Sequence, residues 1–119
     1  KVSLFLNHIW ADAELISQLY GVPLELILAQ SCQETGFGKS NLCQQNCNYF
    51  GVQNGFYDSK TESFFDYGKI LTLPCYENLQ PKTLQEWFDA LECCHYAGDK
   101  NYTKSLRKII KKWIKKRTC

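Results

Sequence analysis

Residues 24–40 read LELILAQSCQETGFGKS, and this stretch decides the fold of the 119-residue chain. Positions 24 to about 33 are apolar almost all round, which predicts a central helix buried on every side. Gly36 and Gly38 then break the helix into a loop. The helix therefore ends at a carboxylate, Glu34, whose pKa would be raised by burial toward neutral pH, where the group can donate a proton. The alternative is that Glu34 faces water in the last helical turn, as most glutamates do.

Further helices are predicted on both sides of this segment. Before it, one helix ends at Gly21, and Pro23 opens the next as a first-turn proline. After it, capping-box patterns at residues 59–62 and 83–86 begin two helices, the first of which is expected to end near Pro74. Apolar residues recur at helical spacing in the first helix (Phe5, Ile9, Leu15, Ile16 and Leu19) and in the last (Tyr102, Leu106, Ile109, Ile110 and Trp113).

A short hairpin is predicted after the central helix. Asn54-Gly55 is the strongest short-range hairpin signal, and it lies between Phe50, Val52 and Phe56. We therefore expect a mainly α protein of the α+β kind, with about five helices around a buried central helix and one small β-hairpin beside a cleft. The length of 119 residues suits a single domain, residues 1–119, with one modest core.

Composition excludes several classes of protein. The chain is 45% hydrophobic and 14% aromatic, which is typical of a globular protein and not of a disordered one. No apolar run approaches the roughly 20 residues of a membrane-spanning helix. The first residue is Lys1 and not Met, which suggests a mature product or an excised domain.

Seven cysteines are many for this length and indicate an oxidising compartment, with some of them in disulfides. Spacing leaves the connectivity open, although Cys43 and Cys47 could form a disulfide that closes a short loop. Cys32, in the apolar helix, is expected to be a buried free thiol. A zinc site is the alternative, but the spacing of its candidate ligands fits zinc motifs poorly (Cys43, Cys47, Cys93, Cys94 and His95). We therefore predict neither a metal nor an organic cofactor.

Charge is distributed unevenly along the chain. The net charge is only +2, yet residues 104–117 contain eight Lys or Arg and no acid. A basic face on the last helix would favour an anionic polymer such as a cell-wall polysaccharide, a membrane surface or a nucleic acid. The alternative is an ordinary solvated helix face.

The carboxylates suggest acid/base chemistry on a glycosidic bond. Such cleavage commonly uses two carboxylates that face each other across a groove. Glu34 is the first, and the second should follow the hairpin, where Asp58, Glu62 and Asp66 lie. Glu62 is our first choice, although it also occupies the third position of the capping box begun by Ser59 and could serve only to close that helix end.

Aromatic and amide side chains could hold sugar rings in the same groove. The candidates are Tyr49, Phe50, Tyr57, Tyr67, Tyr96 and Tyr102. Tyr96 is preferred because it ends an amphipathic helix beside Gly98. Gln30 lies one turn before Glu34 on the same helix face, so it could hydrogen-bond either the acid or a sugar.

Four blocks of sequence, in order, resemble the peptidoglycan-cleaving N-acetylglucosaminidases of glycoside hydrolase family 73. The first runs from Tyr20-Gly21-Val22-Pro23 to Gln33-Glu34-Thr35-Gly36-Phe37-Gly38-Lys39-Ser40, in which Thr35 and Phe37 depart mildly from the family signature. The others are Asn48-Tyr49-Phe50-Gly51-Val52, then Phe56-Tyr57-Asp58-Ser59 with Glu62-Ser63 and Asp66-Tyr67, and finally Tyr96-Ala97 with Asp99 and Tyr102. Gly98 stands where the family usually has threonine.

The resemblance implies a lysozyme-like fold with Glu34 as the catalytic acid. It also implies that Glu62 is a second carboxylate and that Tyr96 lines the cleft, while Asn48 and Asp66 belong to matching blocks that we include among the substrate-binding candidates. Lytic transglycosylases share the helix that leads to the acid. They usually continue into a glycine-leucine-methionine-glutamine segment, whereas this chain has no methionine.

The functional hypothesis is hydrolysis of the bond that follows N-acetylglucosamine in peptidoglycan strands. Glu34 would protonate the leaving oxygen, and the attacking group would be water activated by Glu62 or the acetamido group of the substrate. The alternatives are a transglycosylase or muramidase of the same fold, or a catalytically weak wall-binding module that uses its basic last helix. A secreted antibacterial effector with an immunity protein as partner is a further possibility. We expect a monomer that acts in the periplasm, in the cell wall or after secretion, without a nucleic-acid partner.

Overall fold

The computed structural model describes residues 1–115 and has a mainly helical architecture there, as the sequence predicts. Its α-helices are α1 (Val2–Tyr20), α2 (Leu24–Thr35), α3 (Asn41–Asn46), α4 (Lys60–Ile70), α5 (Pro74–Leu79), α6 (Leu84–Cys93) and α7 (Tyr102–Ile109). A 3-10 turn spans Val52–Asn54, and a π-helical turn, Ile110–Ile114, continues α7. Within the described range, no helix is both long and apolar enough to cross a membrane.

The central helix is confirmed as α2. Every residue from Leu26 to Cys32 is fully buried, and α1, α7 and the π-helical turn pack around it. Burying one Leu or Ile side chain contributes about 1.5–3 kcal/mol, so the surrounding helices are held to α2 by apolar contact on all sides. Gly36 ends the helix in the left-handed conformation, with φ 58°.

Helix α1 buries a slightly different set of residues from the one expected. Phe5, Ile9 and Ile16 are in the core as predicted, but Leu15 is 38% and Leu19 56% exposed. Leu6 and Ala13 are buried in their place (Phe5, Leu6, Ile9, Ala13 and Ile16 form the inner face). The apolar residues of α1 cover more than one face of the helix, so only packing against the other helices determines which of them are buried. Gly21 ends the helix as predicted, whereas Pro23 is the N-cap of α2 and not its first residue.

The predicted β-hairpin at Asn54-Gly55 is wrong, and no strand occurs among residues 1–115. The segment forms a 3-10 turn in which Gln53 (φ 50°) and Asn54 (φ 54°) are both left-handed. Its backbone groups bond to the Asn48 side chain: Nδ2 donates to the carbonyls of Val52 and Gly55, and Oδ1 accepts from the Phe50 and Val52 amides. One buried amide thus satisfies the groups that a partner strand would otherwise bond.

The later helices begin where the capping patterns predict. Ser59 accepts from the Glu62 amide at the start of α4, and Thr83 with Glu86 forms a complete capping box at α6. Pro74 does more than stop α4, because it is the first residue of α5. With α3 and α5, the chain has more helices than the five or so expected.

The last helix has its predicted amphipathic form up to the end of the described range. Leu106, Ile109 and Ile110 are buried, whereas Lys104 and Lys108 are exposed. The rest of the predicted basic segment includes Lys116 and Arg117, which, with Cys119, lie outside the described residues.

A disulfide between Cys75 and Cys94 braces the described part of the chain, with their Cα atoms 5.9 Å apart. The disulfide considered between Cys43 and Cys47 is not formed, and both residues are free thiols. Cys43 lies within α3, whereas Cys47 follows the helix as its C-cap in the left-handed conformation, with φ 53°. Cys32 is a buried free thiol, as predicted.

We expect replacement of both bridged residues, Cys75→Ser with Cys94→Ser, to lower the free energy of unfolding by about 3 kcal/mol, because the bridge restricts the unfolded chain between two positions 19 residues apart. Urea denaturation under oxidising conditions measures this. Cys93→Ser, which removes an exposed free thiol, is the control and should leave the midpoint unchanged. Equal midpoints for all three proteins would contradict the assigned pairing.

Candidate active site

A cleft of about 490 Å³ lies beside the C-terminal end of α2. Three irregular segments form its walls together with Glu34: the loop at 50–53, the α4–α5 connection with the start of α5, and the turn at 94–97. The lining residues are Glu34, Phe50, Gly51, Val52, Gln53, Ile70, Leu73, Tyr76, Cys94, His95, Tyr96 and Ala97. Glu34 is the one carboxylate in this lining set, so the cleft has a single candidate proton donor of that type.

Local structure holds Glu34 at the cleft edge. The next residue, Thr35, is buried; its hydroxyl donates to the Ser31 carbonyl and accepts from the Gly38 amide. On the other side, Gly51 adopts φ 64°, and a Cβ built on it would lie 3.4 Å from Glu34 Oε1. Glycine therefore lets the loop at 50–53 pass directly against the carboxylate in a left-handed conformation.

The environment of Glu34 favours its protonated form. Burial raises the pKa of this carboxyl above its ordinary value, and a hydrogen bond with the Tyr102 hydroxyl acts in the opposite direction, more weakly. The side chain is half-buried and lines the cleft, so it does not simply face bulk water. Both the direction and the cause of the shift agree with the sequence-based expectation.

A chain of buried hydrogen bonds ends at this carboxyl. The Tyr67 hydroxyl donates to Gln30 Oε1, and Gln30 Nε2 donates to the Tyr102 hydroxyl over 3.1 Å. Because Tyr102 already accepts from Gln30, its own proton is available to Glu34. Gln30 was expected to contact either the acid or a sugar. Instead Gln30 is fully buried. It connects to the Glu34 carboxyl indirectly, through the hydroxyl of Tyr102.

Tyr96 lines the cleft as the sequence predicts, although it follows α6 in a turn and does not end the helix. Its amide bonds to the Leu91 carbonyl, and its ring stacks on Tyr102 with centroids 5.7 Å apart. Burial and then the charge of Glu34 raise the pKa of the Tyr96 hydroxyl well above its ordinary range. The hydroxyl therefore remains a hydrogen-bond donor at the edge of the cleft.

Two residues with a strained backbone lie in the walls of the same cavity. Gln53 and His95, both in its walls, have φ values of 50° and 55°. Left-handed conformations of residues other than glycine cost energy and persist where the surrounding structure holds them, often at functional sites.

Most of the other predicted site residues do not line the cleft, and Phe50 is the exception in this group. Glu62 is exposed in the first turn of α4, and Asp66, one turn later, accepts a 2.5 Å hydrogen bond from the Tyr57 hydroxyl. Asn48 is fully buried as the organiser of its loop, and Tyr49 packs in the core with its hydroxyl bonded to His8. Phe50 does line the cleft, and its ring stacks on Tyr67 at 3.9 Å.

Sequence reasoning missed several lining residues, notably Gly51, Leu73, Tyr76 and His95. Gly51 lies in the Asn48-Tyr49-Phe50-Gly51-Val52 block. A glycine in such a block can indicate that the backbone passes close to another group, which here is the Glu34 carboxylate. Tyr76 and Leu73 had no such signal, since the short helix α5 was not predicted.

The candidate zinc ligands are not assembled in the described part of the chain. Cys94 is bonded to Cys75, and residues 1–115 hold no group of three or more side chains arranged to bind a metal ion.

Comparison with known proteins links this geometry to glycoside hydrolases. Residues 10–115 match the family model named Glucosaminidase, described as mannosyl-glycoprotein endo-beta-N-acetylglucosaminidase. The solved glycoside hydrolase domain of FlgJ from Salmonella typhimurium is similar to this chain, with a TM-score of 0.81 and 27% sequence identity; the match covers 99% of this chain and 91% of that one. No curated protein sequence matches significantly.

Tyr102→Phe should raise the pKa of Glu34 further, because it removes the hydrogen bond that opposes the effect of burial. Titration of the Glu34 carboxyl carbon by NMR measures this shift. Tyr49→Phe is the matched control, since it removes a buried tyrosine hydroxyl bonded to His8 and should leave the Glu34 titration unchanged. A lower Glu34 pKa in Tyr102→Phe would contradict the assigned hydrogen bond.

Proposed function

This chain belongs to the glucosaminidase family and is a glycoside hydrolase, and we propose that Glu34 is the general acid with which it cleaves peptidoglycan strands after N-acetylglucosamine. The observation that carries this assignment is the position of Glu34, at the end of a buried helix and in the wall of a cleft. An acid whose pKa is raised stays protonated closer to neutral pH and can protonate the leaving glycosidic oxygen.

Two substrate classes are candidates for this chain. The family description names mannosyl-glycoproteins, whereas the four sequence blocks resemble peptidoglycan-cleaving members and the similar solved domain is bacterial. These two observations favour peptidoglycan. Mass spectrometry of digests of purified peptidoglycan and of a high-mannose glycoprotein would separate the two, and the reducing-end sugar would distinguish a glucosaminidase from a muramidase or a transglycosylase.

The proposed attacking group is the acetamido group of the substrate. Glu34 is the carboxylate of the cleft wall, while Glu62 is exposed on α4 outside it. In this route the acetamido oxygen bonds to the anomeric carbon while the glycosidic bond breaks and the leaving oxygen takes the Glu34 proton, which gives a cyclic oxazolinium ion and a Glu34 carboxylate. Water then adds to the anomeric carbon, the ring opens to restore the acetamido group, and the proton released by the water returns to Glu34. Some other families of glycoside hydrolases use the same substrate-assisted route in place of a second carboxylate. Tyr96, protonated at the cleft edge, would donate a hydrogen bond that orients the acetamido group.

Action outside the cytoplasm fits the substrate and the covalent structure. A disulfide joins Cys75 to Cys94, which lines the cleft, and such bonds persist in oxidising compartments. We propose that residues 1–119 act as one catalytic domain in the periplasm, in the cell wall or after secretion.

Glu34→Gln should lower kcat on purified peptidoglycan by about 10²–10⁴-fold, the usual contribution of a general acid. Release of reducing ends measures the rate. Glu14→Gln, at an exposed position on α1, is the matched control and should keep the wild-type rate. Wild-type turnover by Glu34→Gln would rule out this acid.

Glu62→Gln should leave kcat near the wild-type value, since the substrate supplies the attacking group. Loss of a carboxylate that activates water would instead cost about 10²–10⁴-fold. Substrate-assisted cleavage also retains the configuration at the anomeric carbon, whereas direct attack by water inverts it. Proton NMR of the first product formed separates the two routes, and inversion together with a slow Glu62→Gln variant would reassign the base to Glu62.

A further inference from the structure

The cleft that contains Glu34 has an imidazole in its wall, contributed by His95. The other polar side chains of the lining are the Glu34 carboxyl, the Gln53 amide and the hydroxyls of Tyr76 and Tyr96. Among the described residues that line the cleft, none is lysine or arginine. His95 is therefore the residue of this set whose side chain can take up a proton to become a cation.

The His95 ring is accessible to a ligand. The residue is exposed, and it lines the same cleft as Glu34. Within residues 1–115 the ring has no hydrogen-bond partner. The chain's other histidine, His8, differs in this respect, since its Nε2 bonds to the Tyr49 hydroxyl over 2.8 Å. Imidazole has an N–H group whether it is neutral or protonated, so His95 can donate to an oxygen of a substrate in either state.

The backbone around His95 is fixed on both sides. Cys94, immediately before it, is bonded to Cys75 of α5. Tyr96, immediately after it, donates its amide to the Leu91 carbonyl, and the His95 amide donates to the Glu92 carbonyl. The turn therefore holds its place on the cleft wall without a substrate, which reduces the entropy lost when a ligand binds.

His95 occupies a backbone conformation that glycine adopts more easily. Its φ of 55° is in the left-handed region, which histidine tolerates better than most residues with a Cβ but still at a cost. Such conformations cluster at active sites and at residues that hold ligands. A side chain in this conformation, exposed on the wall of a cleft, points to a role in binding.

We propose that His95 binds the lactyl carboxyl group of the peptidoglycan strand. In peptidoglycan, the sugar that alternates with N-acetylglucosamine carries a lactyl ether, whose carboxyl group is either free or joined to a peptide. The His95 N–H would donate to an oxygen of this group. This inference rests on the proposed function for its substrate class. It makes His95 a specificity-determining residue, which favours strands that carry the lactyl group over glycans of N-acetylglucosamine alone.

The ring signals of histidine in an isotope-labelled Glu34→Gln protein, observed by NMR, test the proposal directly. The chain has two histidines, so His95→Gly identifies the relevant signals by removing them, and His8 serves as an internal reference. A peptidoglycan tetrasaccharide with free lactyl carboxyl groups should shift the His95 signals saturably and leave those of His8 in place. A tetramer of N-acetylglucosamine should shift the His95 signals much less. An equal shift with both glycans, or no shift with either, would overturn the proposal.

His95→Gly in the Glu34→Gln protein supplies a second readout. We expect its affinity for the lactyl-bearing tetrasaccharide to fall about tenfold, the usual effect of losing one hydrogen bond to a charged group. Its affinity for the N-acetylglucosamine tetramer should change little. The urea midpoint should not fall, since glycine suits a φ of 55°. Isothermal titration calorimetry and urea denaturation measure the two effects.

Gln53→Gly, in the same background, is the matched control for this substitution. Gln53 is also exposed, also lines the cleft and also has a left-handed backbone, with φ 50°, but its side chain is a neutral amide. It should not lose affinity selectively for the lactyl-bearing glycan. Unchanged affinity in His95→Gly, or an equal loss for both glycans, would contradict the role of His95.

The two proposals fail in different ways. If the wild-type enzyme cleaves peptidoglycan and Glu34→Gln does not, but the His95 signals never move, only the role of His95 is wrong. If the His95 signals move with the lactyl-bearing glycan while Glu34→Gln cleaves like the wild type, only the catalytic assignment is wrong.

Discussion

Complete burial of α2 is the constraint on which the rest of this structure depends. Seven consecutive residues, Leu26–Cys32, are inaccessible to solvent, so α1, α7 and the π-helical turn must surround the helix. Any rotation or shift of α2 would expose several aliphatic side chains, each at a cost of about 1.5–3 kcal/mol. Glu34 comes two residues after this buried run. The same packing that holds α2 in place therefore sets both the position of the carboxyl and the desolvation that raises its pKa.

Two polar residues inside this apolar helix connect it to the active-site region. Gln30 is bonded to the hydroxyls of Tyr67 and Tyr102, and the Ser31 hydroxyl donates to the Tyr49 carbonyl. Buried polar groups are costly unless their hydrogen bonds are made, so these pairings also select one arrangement of the neighbouring segments. Because Gln30 donates to the Tyr102 hydroxyl, the Tyr102 proton remains available to Glu34. Ser31 holds Tyr49, which directly precedes the loop at 50–53 that passes against Glu34.

The cleft is built from short irregular segments that side chains organise. The Asn48 side chain donates hydrogen bonds to the backbone of the loop at 50–55, and the Ser63 hydroxyl of α4 accepts from the Tyr49 amide. On the other side, the bridge from Cys75 to Cys94 joins α5 to the turn that carries His95 and Tyr96. Residues 1–115 thus form a groove without a sheet lobe, because hydrogen bonds and the Cys75–Cys94 disulfide hold the loops beside Glu34.

The sequence by itself determined the buried helix, its glycine end, the capped starts of α4 and α6, and the presence of a carboxylate at the end of the buried helix. These features depend on helical periodicity and on contacts between residues three or four apart, which a single chain segment displays. Only the folded structure showed that Asn54-Gly55 forms a turn and not a hairpin, because the Asn48 side chain, four to seven residues away, bonds the carbonyls of Val52 and Gly55. Tertiary packing decided that Glu62 lies outside the cleft wall, and that Gln30 bonds to the hydroxyl of Tyr102, 72 residues away, which in turn bonds to Glu34. The last two outcomes depend on which distant groups come into contact when the helices pack, and local sequence patterns do not encode those contacts.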